Sequence, residues 1–116
     1  MLVVEDDASL RELYRSVLTA AGYAVNAVED GIDALRRLET VRPDIIVLDL
    51  ILPRLSGRDV QQELAAHAET RSIPILAVTA TDTRALDAAA FACVLHKPIR
   101  PHELVAAVAE CLQRSP

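Results

Sequence analysis

The sequence predicts an α/β protein: a doubly wound, five-stranded parallel sheet with helices on both faces. Three observations predict it. Five short aliphatic runs alternate with stretches of helical periodicity. The runs IIVL (45–48) and ILAV (75–78) are apolar at successive positions, as strands covered on both faces must be. Cap and stop residues, among them Asp30, Ser56 and Gly22, sit where one pattern gives way to the next. Such alternation builds parallel sheets, because each crossover lays a helix on the sheet.

The elements follow in order. Met1 to Val4 reads as the first strand. Leu10, Leu13, Tyr14, Val17, Leu18 and Ala21 then recur at helical spacing until Gly22, with Asp7 as the N-cap. Ala24 to Val28 is the second strand. Asp30 caps a helix bearing Ile32, Leu35 and Leu38; Glu29 and Asp30 read as solvated or capping. Asp44 to Leu48 is the third strand. Ser56 caps a helix with Val60, Leu64 and His67 on one face. Ile73 to Val78 is the fourth strand, and Thr81 to Ala90 reads as a weakly patterned helix. Ala92 to His96 is the fifth strand. Pro101 suits the first turn of a last helix carrying Leu104, Val108, Cys111 and Leu112.

The 116 residues suit one domain, 1–116. Apolar residues make up 52% and aromatics 3%, so the core must be aliphatic. No apolar run approaches the ~20 residues of a membrane span, and no signal peptide is evident. A net charge of −5 argues against nucleic-acid binding by this domain, since phosphate contact needs a basic face. Cys93 and Cys111 lack metal-binding or redox spacing and read as reduced thiols of a cytoplasmic protein.

The ends of the strands carry the chemistry. Glu5, Asp6 and Asp7 follow the first run, Asp49 the third, Thr79 the fourth and Lys97 the fifth. Parallel strands bring these positions to one edge, where ligands bind in such sheets. Three ionised carboxylates about 5 Å apart would repel by roughly 3 kcal/mol per pair at an effective dielectric of ~20. Either one carboxyl keeps its proton or a cation sits among them. No His or Cys set stands at zinc spacing. Magnesium suits the pocket, since it binds through one or two carboxylates and favours phosphate oxygens. Of twelve Lys and Arg residues only Lys97 is a lysine, a compact charge for a small oxyanion. Pro98 follows it, where a cis bond is available. A carboxylate can act as nucleophile toward phosphorus, with cations on the equatorial oxygens.

These motifs, in order and over essentially the whole chain, resemble the receiver domain of two-component response regulators. LVVEDD is similar to its first strand and acidic pair. PDIIVLDLILPRLSG is similar to its phosphoacceptor segment, PILAVTA to its switch strand and HKPI to its lysine–proline turn. The resemblance implies a flavodoxin-like sheet of order 2-1-3-4-5. It implies that Asp49 accepts the phosphoryl group. Asp6 would be the main carboxylate ligand of Mg2+, Glu5 would assist, and Asp49 and the Ile51 backbone carbonyl would complete the protein's share. Thr79 and Lys97 would contact the phosphoryl group, and Ala80 would leave it room. A histidine kinase or histidine phosphotransfer protein would supply that group, and slow self-hydrolysis would reset a signalling domain that is otherwise not an enzyme. The output partner is not named by the sequence, and a homodimer is compatible with it.

Two features depart from the family. Val94 occupies the position, three before the lysine, where a Tyr or Phe usually follows the threonine's movement. The interval from Thr79 to Lys97 is shorter than usual by about one helical turn, which implies a truncated or irregular fourth helix. Both favour the alternative of a degenerate receiver that binds partners whatever its phosphorylation state. A phosphohydrolase would want a second acid where Ile51 stands. A flavin site would want a Gly/Ser/Thr-rich loop where the acidic EDDAS stands.

Overall fold

The computed structural model describes residues 1–80 and 90–114. Its strands are β1 (Leu2–Val4), β2 (Asn26–Val28), β3 (Ile46–Asp49), β4 (Ile75–Thr79) and β5 (Cys93–His96). Its helices are α1 (Ala8–Ala20), α2 (Gly31–Leu38), α3 (Gly57–Ala66) and α4 (Pro101–Arg114). All strand pairs are parallel and the order is β2-β1-β3-β4-β5. The helix expected over Thr81 to Ala90, and with it the shortened fourth helix, falls outside the described residues except for Ala90.

Period-two alternation divides the strands between two cores. Leu2, Val4, Ile46, Leu48, Ile75 and Ala77 face α2 and α3, where they meet Ala34, Leu38, Val60 and Leu64. Val3, Val47, Leu76 and Val78 face α1 and α4, where they meet Tyr14, Leu18, Leu104, Val108 and Cys111. The continuous apolar runs are continuous because each residue serves one face or the other.

The caps stand where expected. Asp7 accepts the Leu10 amide at 3.0 Å, Asp30 the Asp33 amide at 2.9 Å and Ser56 the Asp59 amide at 3.2 Å. Gly22 ends α1 at φ 102°. Strand starts run later than the apolar pattern suggested. Pro74 lacks an N–H and cannot pair as a strand interior does, so β4 opens at Ile75. His67 does not share the helical face of Val60 and Leu64. It is the C-cap of α3, in extended conformation, with its ring exposed 2.9 Å from Glu63. Asp30 is not solvated: it is 4% exposed.

Candidate functional site at the strand ends

The sheet register brings the charged residues together. Val4 stands beside Leu48 and Asp49 beside Val78. Glu5 therefore emerges from β1 next to the end of β3. Thr79 stands beside His96, and its carbonyl accepts the Lys97 amide at 2.9 Å. The peptide bond from Lys97 to Pro98 is cis. Gly57 lets α3 begin directly under this edge. A Cβ there would collide with the Asp49 carbonyl oxygen and the Leu50 Cα, and its amide donates to Leu50 O at 3.1 Å.

Asp49 is 5% exposed and Glu5 1% exposed, so both need partners. Lys97, at the end of β5, supplies one by reaching past β4. Its Nζ donates to Glu5 Oε1 at 2.7 Å and to Asp49 Oδ2 at 3.0 Å. The Ile51 amide donates to Asp49 Oδ1 at 3.0 Å, and the Asp7 amide to Glu5 Oε2 at 3.2 Å. Every oxygen of the two buried carboxylates thus receives a hydrogen bond.

Burial pushes the Glu5 carboxyl up to about 7, against the lowering effect of Lys97 and with a further push from Asp49. Burial also works against the Lys97 charge, but its two carboxylate partners outweigh that and lift the ammonium above the usual lysine range. The Lys97 ammonium sits among the acids of this edge. Oxygens of Glu5, Asp6 and Asp49 all lie within 4.8 Å of one another, and Asp6 is exposed on the open side. A donor set of oxygens alone, with excess negative charge and one solvent-facing member, fits a hard divalent cation.

The remaining expected positions are these. Thr79 is wholly buried at the end of β4, and Ala80 beyond it is exposed. The Ile51 side chain is exposed beside the pocket. Val94 pairs with Ala77 and packs on the α2–α3 core, which also holds the buried ring of Phe91. His96 and His102 are exposed.

Comparison with known proteins decides the family. The response regulator receiver domain model matches residues 1–109. The chain belongs to this family. This receiver is 40% identical over 120 residues to the DNA-binding response regulator MtrA of Mycolicibacterium paratuberculosis, covering 99% of this chain and 52% of that protein. The chain spans about half the length of the curated relatives it matches. Among solved structures, it superposes on the receiver domain of sensor histidine kinase PA1611 from Pseudomonas aeruginosa, described with magnesium in its active-site cleft. The TM-score is 0.87 at 32% identity, covering 97% of this chain and 95% of that one. Chemotaxis response regulator CheY4 of Vibrio cholerae gives a TM-score of 0.89 at 27% identity, covering 95% of each chain. Among the described residues, no helix is long and apolar enough to cross a membrane.

Three residues at or near the pocket were not legible in the sequence. Arg11 Nη1 donates to the Glu5 carbonyl at 3.0 Å and steadies the turn after β1. Arg54 pairs with Asp30 across 24 residues. Gly31 packs so closely on the Leu55 carbonyl that a Cβ would not fit. Arg54 and Gly31 act through contacts distant in sequence, which periodicity does not report; only the EDG of residues 29–31 hinted at a constrained turn.

Proposed function

We propose that residues 1–116 form a phosphoacceptor receiver in which Asp49 takes a phosphoryl group from a histidine kinase or a histidine phosphotransfer protein. The observation that carries this reading is the bridge of Lys97 between the buried carboxylates of Glu5 and Asp49, with Asp6 open to solvent beside them. An Asp49 oxygen attacks phosphorus, the phosphorus–nitrogen bond to the donor imidazole breaks, and its electron pair stays on that nitrogen. Asp6, Glu5, Asp49 and the Ile51 carbonyl would hold Mg2+, which supplies positive charge to the phosphoryl oxygens. Lys97 supplies a second positive charge, the Thr79 hydroxyl donates a hydrogen bond, and the small Ala80 leaves space. Water later attacks phosphorus, the phosphorus–oxygen bond to Asp49 breaks, and inorganic phosphate leaves as the Asp49 carboxylate is returned. We place this chemistry in the cytoplasm, where the two free cysteines stay reduced.

Intact-mass measurement tests the reading. With acetyl phosphate and magnesium the chain should gain the mass of one phosphoryl group, and Asp49→Asn should gain none. A wild type that stays unmodified overturns it.

Val94 favours a second reading, a module that binds its partner in either state. Valine packs well in β5, but it offers no ring to swing with Thr79. NMR shifts confined to the neighbourhood of Asp49 on phosphorylation would support this second reading. Shifts that spread along β4 and β5 would support a working switch.

A further inference from the structure

The proposed chemistry leaves Arg54 without a task. It lies in the loop between β3 and α3 at φ 64°, a region that arginine seldom enters and glycine enters freely. A position that asked only for this backbone shape would be served best by glycine. The side chain must therefore supply something glycine lacks.

It supplies a fork. Arg54 Nε donates to Asp30 Oδ2 at 2.9 Å, Nη2 donates to the same oxygen, and Nη2 also lies 3.5 Å from Asp33. Asp30 is 4% exposed while the Arg54 side chain is 49% exposed, so the arginine closes over the buried carboxylate from the solvent side. Its other oxygen caps α2 through the Asp33 amide at 2.9 Å. That amide and the guanidinium hold the Asp30 carboxyl below its ordinary range, so it stays charged. One residue along the chain from Arg54, the Leu55 carbonyl rests against Gly31, the first residue of α2. The loop is thus fastened to the start of α2 at two successive residues. Three residues before Arg54, the amide of Ile51 holds Asp49 Oδ1.

We propose that Arg54 is a positioning residue for the Asp49 pocket. Its ion pair with Asp30 fixes the loop on α2, and the fixed loop holds the Ile51 backbone against Asp49, where the Ile51 carbonyl would serve a bound cation. The task assigned to Arg54 rests on the phosphoacceptor reading; the mechanical link from Asp30 to Ile51 does not. Groups bonded directly to metal ligands change metal affinity by about 10- to 100-fold when removed, and Arg54, one contact further out, should act at the lower end of that range.

Arg54→Gly removes the fork while keeping the backbone shape, and Arg54→Lys keeps a cation without the fork. Arg54→Gly should speed amide exchange at Ile51, leave exchange at Leu18 on the opposite face unchanged, and slow phosphorylation by acetyl phosphate about tenfold at subsaturating magnesium. Added magnesium should recover the rate, and Arg54→Lys should fall between Arg54→Gly and wild type. Wild-type exchange at Ile51 in Arg54→Gly overturns the proposal, and so does a wild-type rate. A parallel rise at Ile51 and Leu18 also overturns it, because the arginine would then serve only general stability. If the wild type takes no phosphoryl group, the phosphoacceptor reading falls and exchange at Ile51 still decides the mechanical link.

Discussion

Burial makes the Glu5 charge sensitive to pH near neutrality. Its carboxyl rises from 4.5 to about 7 on folding. A carboxyl raised in this way binds its proton more tightly in the folded chain. It therefore adds stability below its unfolded value, and that contribution is lost as pH climbs through the folded value. In metal-free buffer the wild type should lose roughly 3 kcal/mol from this group between roughly pH 4.5 and pH 8. Denaturant midpoints across that window measure it, and subtracting the Glu5→Gln profile isolates it. Parallel profiles for the two proteins would contradict the assignment. At this scale the sequence was informative wherever a residue's location followed from its place at a strand end. Asp49, Lys97, Glu5 and Asp6 could be gathered on one edge because topology alone gathers them. Arg54 could not, since its partner is set by the packing of two loops.

Helices and strands were legible in kind and less so in extent. Apolar periodicity gave each described element its type, but hydrogen bonding sets the ends. Ile45 belongs to the apolar run and lies just outside β3, although its carbonyl already accepts the Leu2 amide at 3.1 Å. His67 continued the helical spacing and yet left the helix, because α3 turns to extended backbone there. The start of α3 shows what spacing cannot report. Gly57 is tolerated at a helix start for backbone reasons, but here it is required by proximity to Asp49 and Leu50. Gly57→Ala should destabilise the chain by about 1–3 kcal/mol through overpacking and shift α3 away from the pocket. Thermal unfolding together with the Ile51 and Leu50 amide shifts would detect both effects. Unchanged stability would mean that the loop gives way freely.

On the scale of the whole chain, the sheet keeps its chemistry at one edge and divides its apolar residues between two faces. The family match ends at residue 109, seven residues short of the last. That division was readable in advance from the uninterrupted aliphatic runs. The contact between Lys97 and Glu5 joins residues 92 apart, and the ammonium crosses the top of β4 to make it. Such a contact has a place in time as well as in space. It needs the first and last strands both docked, so we expect it to form in the final stage of assembly rather than in the nucleus. Lys97→Ala should therefore raise the unfolding rate while barely changing the folding rate, a φ-value near zero in a chevron measured without metal. The pocket would be the last feature the folding chain completes and the first it gives up.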